Sequence, residues 1–125
     1  MTFSGPVLDA ADVPQLLRFY EQLLGWRIMD TGGDEWGVVR PEDGTRGHKV
    51  EIQHEPNFQR PVFPSAAGQP TMQVHLDFWV EDLERGVAWA IECGAEQASW
   101  QPPDRDPSRL RIMVDPAGHP FCLWI

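Results

Sequence analysis

At 125 residues and 14.2 kDa, the chain has the length of one domain and enough apolar content to close a core without staples. A formal net charge of −9 and a sequence pI near 4.7 repel phosphate backbones, which argues against a nucleic-acid partner. Two cysteines, Cys93 and Cys122, do not make a disulfide framework. No apolar run approaches the ~20 residues that span a bilayer. The opening Met1-Thr2-Phe3-Ser4-Gly5-Pro6 lacks the basic start and apolar stretch of a secretory signal, so a cytoplasmic setting is expected. The acidic balance suits either plain solubility or attraction of a cationic ligand, and charge alone does not separate the two.

In chain order, residues 5–10 read as a short strand with Pro6 at its start. Asp12 stands where a helix N-cap belongs, and Pro14 falls in the first turn, where its missing N–H costs nothing. The apolar positions Val13, Leu16, Leu17, Tyr20, Leu23 and Leu24 have helical spacing, and Gly25 is a natural stop. Strands follow at 26–30, 36–40 and 49–53, with turns at Gly32-Gly33-Asp34 and Pro41-Glu42-Asp43-Gly44. Residues 55–71 carry Pro56, Pro61, Pro64 and Pro70, which marks a linker; Phe58, Val62 and Phe63 suggest that it packs on the body.

The pattern then returns. A strand at 73–80 leads to Asp82 as N-cap and to a helix over Leu83–Cys93, whose apolar face is Leu83, Val87, Ala90 and Ile91 and whose stop is Gly94. A weak strand at 96–100, a Pro-rich loop at 102–107, a strand at 110–114, the turn Asp115-Pro116-Ala117-Gly118 and a closing strand at 121–125 complete it. Both halves read β-α-β-β-β: module one over 1–54, linker over 55–71 and module two over 72–125, within a single domain.

The runs Val74-His75-Leu76-Asp77-Phe78-Trp79-Val80-Glu81-Asp82 and Asp115-Pro116-Ala117-Gly118-His119-Pro120-Phe121-Cys122-Leu123, set in register with the repeat, resemble the vicinal oxygen chelate superfamily. That superfamily includes glyoxalase I, extradiol dioxygenases and bleomycin-resistance proteins, and the runs are most similar to small bacterial glyoxalase-like domain proteins. The resemblance implies an α+β fold of two tandem βαβββ modules whose curled mixed sheets surround a cavity, often within a homodimer. Metal-dependent relatives place ligands at two points per module: seven residues before the helix N-cap Asp, and on the last strand. Those positions fall on Gly5 and Glu51 in module one, and on His75 and Cys122 in module two. The implied metal ligands are thus His75 and Glu51, with Cys122 a third only if ionised. The cofactor they would hold is one divalent ion (zinc, nickel, manganese or iron).

Strand alternation assigns the two faces of each sheet. Leu8, Ala10, Val50, Ile52, Phe78, Val80, Phe121 and Leu123 are expected against the helices. Asp9, Glu51, Gln53, His75, Asp77, Trp79, Cys122 and Trp124 are expected to line a polar and aromatic cavity. Each has a plainer reading. His75 serves equally as a hydrogen-bonded cavity histidine, Glu51 as the ion-pair partner of Lys49 or of Arg111, which is expected on an inward strand face, and Cys122 as a small buried hydrophobe. His119 is expected to order its turn, and His48 and His54 to lie on the surface.

The expected function is that of a glyoxalase-like pocket protein that binds or transforms a small organic molecule without the complete metal set of glyoxalase I. One alternative is a metal-dependent lyase, isomerase or dioxygenase with Glu51 and His75 as catalytic residues. Another is a bleomycin-resistance-type protein that sequesters a cationic aromatic drug through Trp79, Trp124 and the inward acids. A metal-free acid–base enzyme using Glu51 or Asp77 is a third.

Overall fold

The structure, a computed structural model, describes residues 1, 3–45 and 47–125. The chain divides into two compact units, Met1–Phe58 and Gln59–Ile125, each with one helix on a four-stranded mixed sheet.

In the first unit the order is β1 (Val7–Ala10), α1 (Val13–Leu24), β2 (Arg27–Thr31), β3 (Trp36–Arg40) and β4 (Val50–His54). The sheet runs β1-β4-β3-β2, with β1 parallel to β4 and the other pairs antiparallel. Asp12 caps α1, its Oδ1 accepting from the Gln15 N–H at 2.9 Å, and Gly25 ends the helix at φ 63°. Helix α1 buries Val13, Leu16, Leu17, Phe19 and Tyr20 against Leu8, Ala10, Val39, Val50 and Ile52. Gly37 on β3 is a close-approach glycine, since a Cβ there would run into the Leu17 side chain.

The second unit repeats the plan with β5 (Leu76–Trp79), α2 (Leu83–Cys93), β6 (Glu96–Gln97), β7 (Leu110–Val114) and β8 (Pro120–Trp124), in the sheet order β5-β8-β7-β6. Asp82 caps α2 by accepting from the Arg85 N–H at 3.0 Å, and Gly94 ends it. Phe121, Leu123 and Met113 form the core under Leu83, Val87 and Ala90 of α2. Asp115 is buried, with 1% of its surface exposed; its carboxylate accepts from the His119 backbone N–H at 2.9 Å and lies 3.0 Å from His119 Nδ1. His119 thus orders the turn, as expected.

Four sequence expectations need correction. Strand β5 starts at Leu76, not at residue 73, because its partner β8 starts at Pro120, which has no N–H to extend the ladder. The weak strand at 96–100 contracts to Glu96–Gln97. Ile91 is 52% exposed and lies outside the buried stripe of α2 set by Leu83, Val87 and Ala90. Arg111 faces the helix, because its register partner is the core residue Leu123; it bonds Glu84 of α2 at 2.9 Å and Gln97 at 3.2 Å. Among the described residues, no helix is long and apolar enough to cross a membrane.

Candidate functional site

Register fixes which side chains share the sheet face turned away from each helix. In module one Val7 pairs with Glu51 and Asp9 with Gln53. In module two Asp77 pairs with Cys122 and Trp79 with Trp124. The alternation read from the sequence therefore places these side chains on the faces expected of them, and the two modules can be compared position by position.

On module one, the ligand position seven residues before Asp12 is Gly5, and Lys49 fills the space beside it. A Cβ on Gly5 would stand 2.6 Å from Lys49 Cγ and 2.6 Å from the Lys49 carbonyl oxygen, and Gly5 has φ +122°. The Lys49 ammonium donates to Glu51 Oε2 at 2.5 Å, with side chains only 22% and 28% exposed. Of the two partners open to Glu51 in the sequence, Lys49 is the one it takes. Asp9 Oδ1 accepts from Gln53 Nε2 at 2.7 Å, tying β1 to β4. This face thus carries its own internal cation.

On module two the face divides into a dry part and a wet edge. Ala98, Leu110, Ile112 and Cys122 form a buried apolar cluster against which Phe63, Val114 and Trp124 pack. Phe63 comes from the linker and meets Trp100 edge to face at 5.9 Å. The sheet centre is therefore apolar, and the polar and aromatic side chains lie at the β5 edge. There His75, Asp77 and Trp79 are exposed, with His75 Nε2 3.4 Å from Asp77 Oδ1. Trp79 is 78% exposed and tilts at 45° to Trp124 with centroids 6.5 Å apart. The Trp124 indole Nε1 is buried with no hydrogen-bond acceptor, alone in this among buried side-chain N and O atoms of the described residues.

Donor atoms of His75, Asp77 and Cys122 lie within 4.8 Å of one another. Burial pushes the Cys122 thiol up to about 12, reinforced by the Asp77 charge and by a hydrogen bond to the Asp77 carboxylate. Cys122 is accordingly a thiol at neutral pH, and burial together with the charge of Glu92 raises Cys93 as well. Asp77, expected as a ligand-binding or acid–base group, thus stands beside His75 and Cys122; its place two residues after His75 on one strand face was the available signal.

The two-module metal set of the superfamily does not fit these residues. Gly5 offers no side chain, Glu51 is neutralised by Lys49, and Cys122 is protonated. Other depressions lie off the sheet faces or are small. One of about 340 Å³ is lined by Asp12, Asp34, Glu35 and His54 at the start of α1, and one of about 210 Å³ lies beside Phe63 and Arg60. The second is below the ~300 Å³ at which pockets begin to enclose drug-sized ligands.

Solved structures share the fold, and three of them illustrate it. A structure of a possible glyoxalase from Bacillus cereus has 21% identity and a TM-score of 0.65, covering 100% of this chain and 99% of that one. The trypanothione-dependent glyoxalase I of Leishmania major gives 18% and 0.63 over 99% and 86%. The fosfomycin resistance protein FosX of Listeria monocytogenes gives 15% and 0.67 over 98% and 89%. No curated protein matches in sequence. The family model for the glyoxalase-like domain matches residues 6–124, and the chain belongs to that family.

Proposed function

We propose that this protein binds a small, cationic aromatic molecule on the β5–β8 edge of module two, and that it does so without the metal set of glyoxalase I. The observation that carries this reading is the exposed Trp79 ring set beside Trp124, with Asp77 two residues away on the same face. A flat cation stacked on Trp79 gains dispersion and cation–π attraction, about 0.5–2 kcal/mol beyond its burial. Asp77 and the net charge of −9 favour the same sign of ligand. The unpaired Trp124 Nε1 supplies a donor for a ligand acceptor that reaches it. Homodimerisation belongs to the same proposal, since Val7 and Trp36 leave apolar surface exposed on the module-one sheet face.

The test is a titration of metal-free protein with a panel of cationic aromatic compounds, read by tryptophan fluorescence. Saturable quenching that disappears in Trp79→Ala and weakens in Asp77→Asn supports the reading. Equal quenching in wild type and Trp79→Ala places binding elsewhere and refutes it.

A further inference from the structure

At the β6 edge of the module-two sheet, the linker encloses a cavity of about 210 Å³ whose lining is unlike that at Trp79. Its floor is apolar: Phe63 and Val114 pack against the cluster that contains Ala98. Two opposite charges border it, Arg60 from the linker and Glu96 from β6. The pairing of Glu96 with Val114 sets both side chains on one sheet face, the face that the cavity occupies. Among the described residues, neither Arg60 nor Glu96 enters an ion pair. We propose that this cavity binds a small zwitterion, an α-amino acid with an apolar side chain, its carboxylate on Arg60 and its ammonium on Glu96.

Arg60 is positioned by the turn beneath it. Its Nη1 donates to the Pro116 carbonyl at 2.7 Å, and its aliphatic stem lies over Gly118, where a Cβ would run into it. Gly118 also takes φ +100°, so a glycine serves both the turn and the arginine. One bond to a carbonyl leaves the Nε and Nη2 donors for a carboxylate, which they can hold in two parallel bonds. A plain carboxylic acid would set its charge against Glu96, and a plain amine would set its charge against Arg60. A zwitterion meets both, and with no net charge it is not repelled by the overall −9. Size sets the rest. The volume of 210 Å³ is the room of roughly seven waters at ~30 Å³ each, which suits a leucine-sized molecule and excludes a drug-sized one. The aliphatic end then rests on Ala98, Val114 and Phe63, which are already dry.

The experiment is titration of the full, ¹⁵N-labelled chain with L-leucine, followed by backbone amide and arginine Nε–H shifts. A small ligand held between two exposed charges is expected to bind with a Kd on the order of 1 mM. The Arg60 Nε–H and the amides of Gln97, Ala98, Ser99 and Gly118 should shift together and saturate. Leucinamide lacks the carboxylate and N-acetyl-leucine lacks the ammonium, so each should bind about tenfold more weakly or worse. Arg60→Gln and Glu96→Gln change exposed groups and keep the fold. The first should remove the preference for leucine over leucinamide, and the second the preference for leucine over N-acetyl-leucine. Four results would each overturn the proposal: no saturable shift at Arg60 at about ten times that Kd, equal binding of either blocked analogue, unchanged leucine affinity in Arg60→Gln, or unchanged affinity in Glu96→Gln. The Trp79 indole is expected to stay in place during this titration, so failure at either site leaves the other standing.

Discussion

Replacing Lys49 by Met tests the internal-cation account of module one. The substitution keeps most of the aliphatic stem and removes the ammonium, leaving Glu51 about three-quarters buried with its partner gone. Exposed ion pairs contribute about 0–1 kcal/mol, whereas removing one partner of a fully buried pair costs about 3–5 kcal/mol. Exposures of 22% and 28% put this pair between those limits, and we expect a loss of about 2 kcal/mol. For a domain of this length that lowers Tm by roughly 8 °C. Urea unfolding of wild type, Lys49→Met, Glu51→Gln and the double variant completes a cycle. The double variant should recover much of the loss, with a coupling of about 1–2 kcal/mol. A coupling below about 0.3 kcal/mol would show that the pair is a solvated surface contact and would refute the claim that Lys49 neutralises Glu51.

Further outcomes follow from the same geometry. Gly5→Ala forces a Cβ against Lys49 at a φ of +122° and should cost about 1–3 kcal/mol in denaturant unfolding. The Cys122 thiol is raised above its value of 9.0 to about 12, so it binds its proton more tightly folded than unfolded. Its contribution to stability is full below pH 9 and lost as pH rises toward 12, and Cys122→Ala should flatten that alkaline decline in a pH series of melts. Alkylation at pH 8 should accordingly modify Cys93 well before Cys122, as peptide mass mapping would show. Sedimentation should give a dimer at micromolar concentration.

Local chemistry made much of this legible in the sequence. Asp12 with Gly25, and Asp82 with Gly94, bound the two helices, because cap and stop depend on a few adjacent residues. Alternation placed Leu8, Ala10, Val50 and Ile52 under α1 and Asp77 opposite them in kind, because a strand has only two faces. What depended on distant partners was not readable. The face of Arg111 follows from its pairing with Leu123, and the start of β5 from the missing N–H of Pro120. The drying of the module-two sheet centre follows from Phe63, which reaches it from the linker. The partner of Glu51 was one of two in the sequence; Arg111 turns to the helix and takes Glu84, and Lys49 pairs with Glu51.

The central claim is that ligand recognition lies at Trp79 and Trp124, and the six indole N–H resonances of the protein test it most directly. In ¹⁵N-labelled, metal-free protein titrated with a cationic aromatic compound, the Trp79 and Trp124 indole peaks should shift together, along with the amides of Asp77 and Cys122. Trp26, Trp36, Trp89 and Trp100 should stay in place. Shifts at those four with Trp79 and Trp124 unmoved would contradict the account.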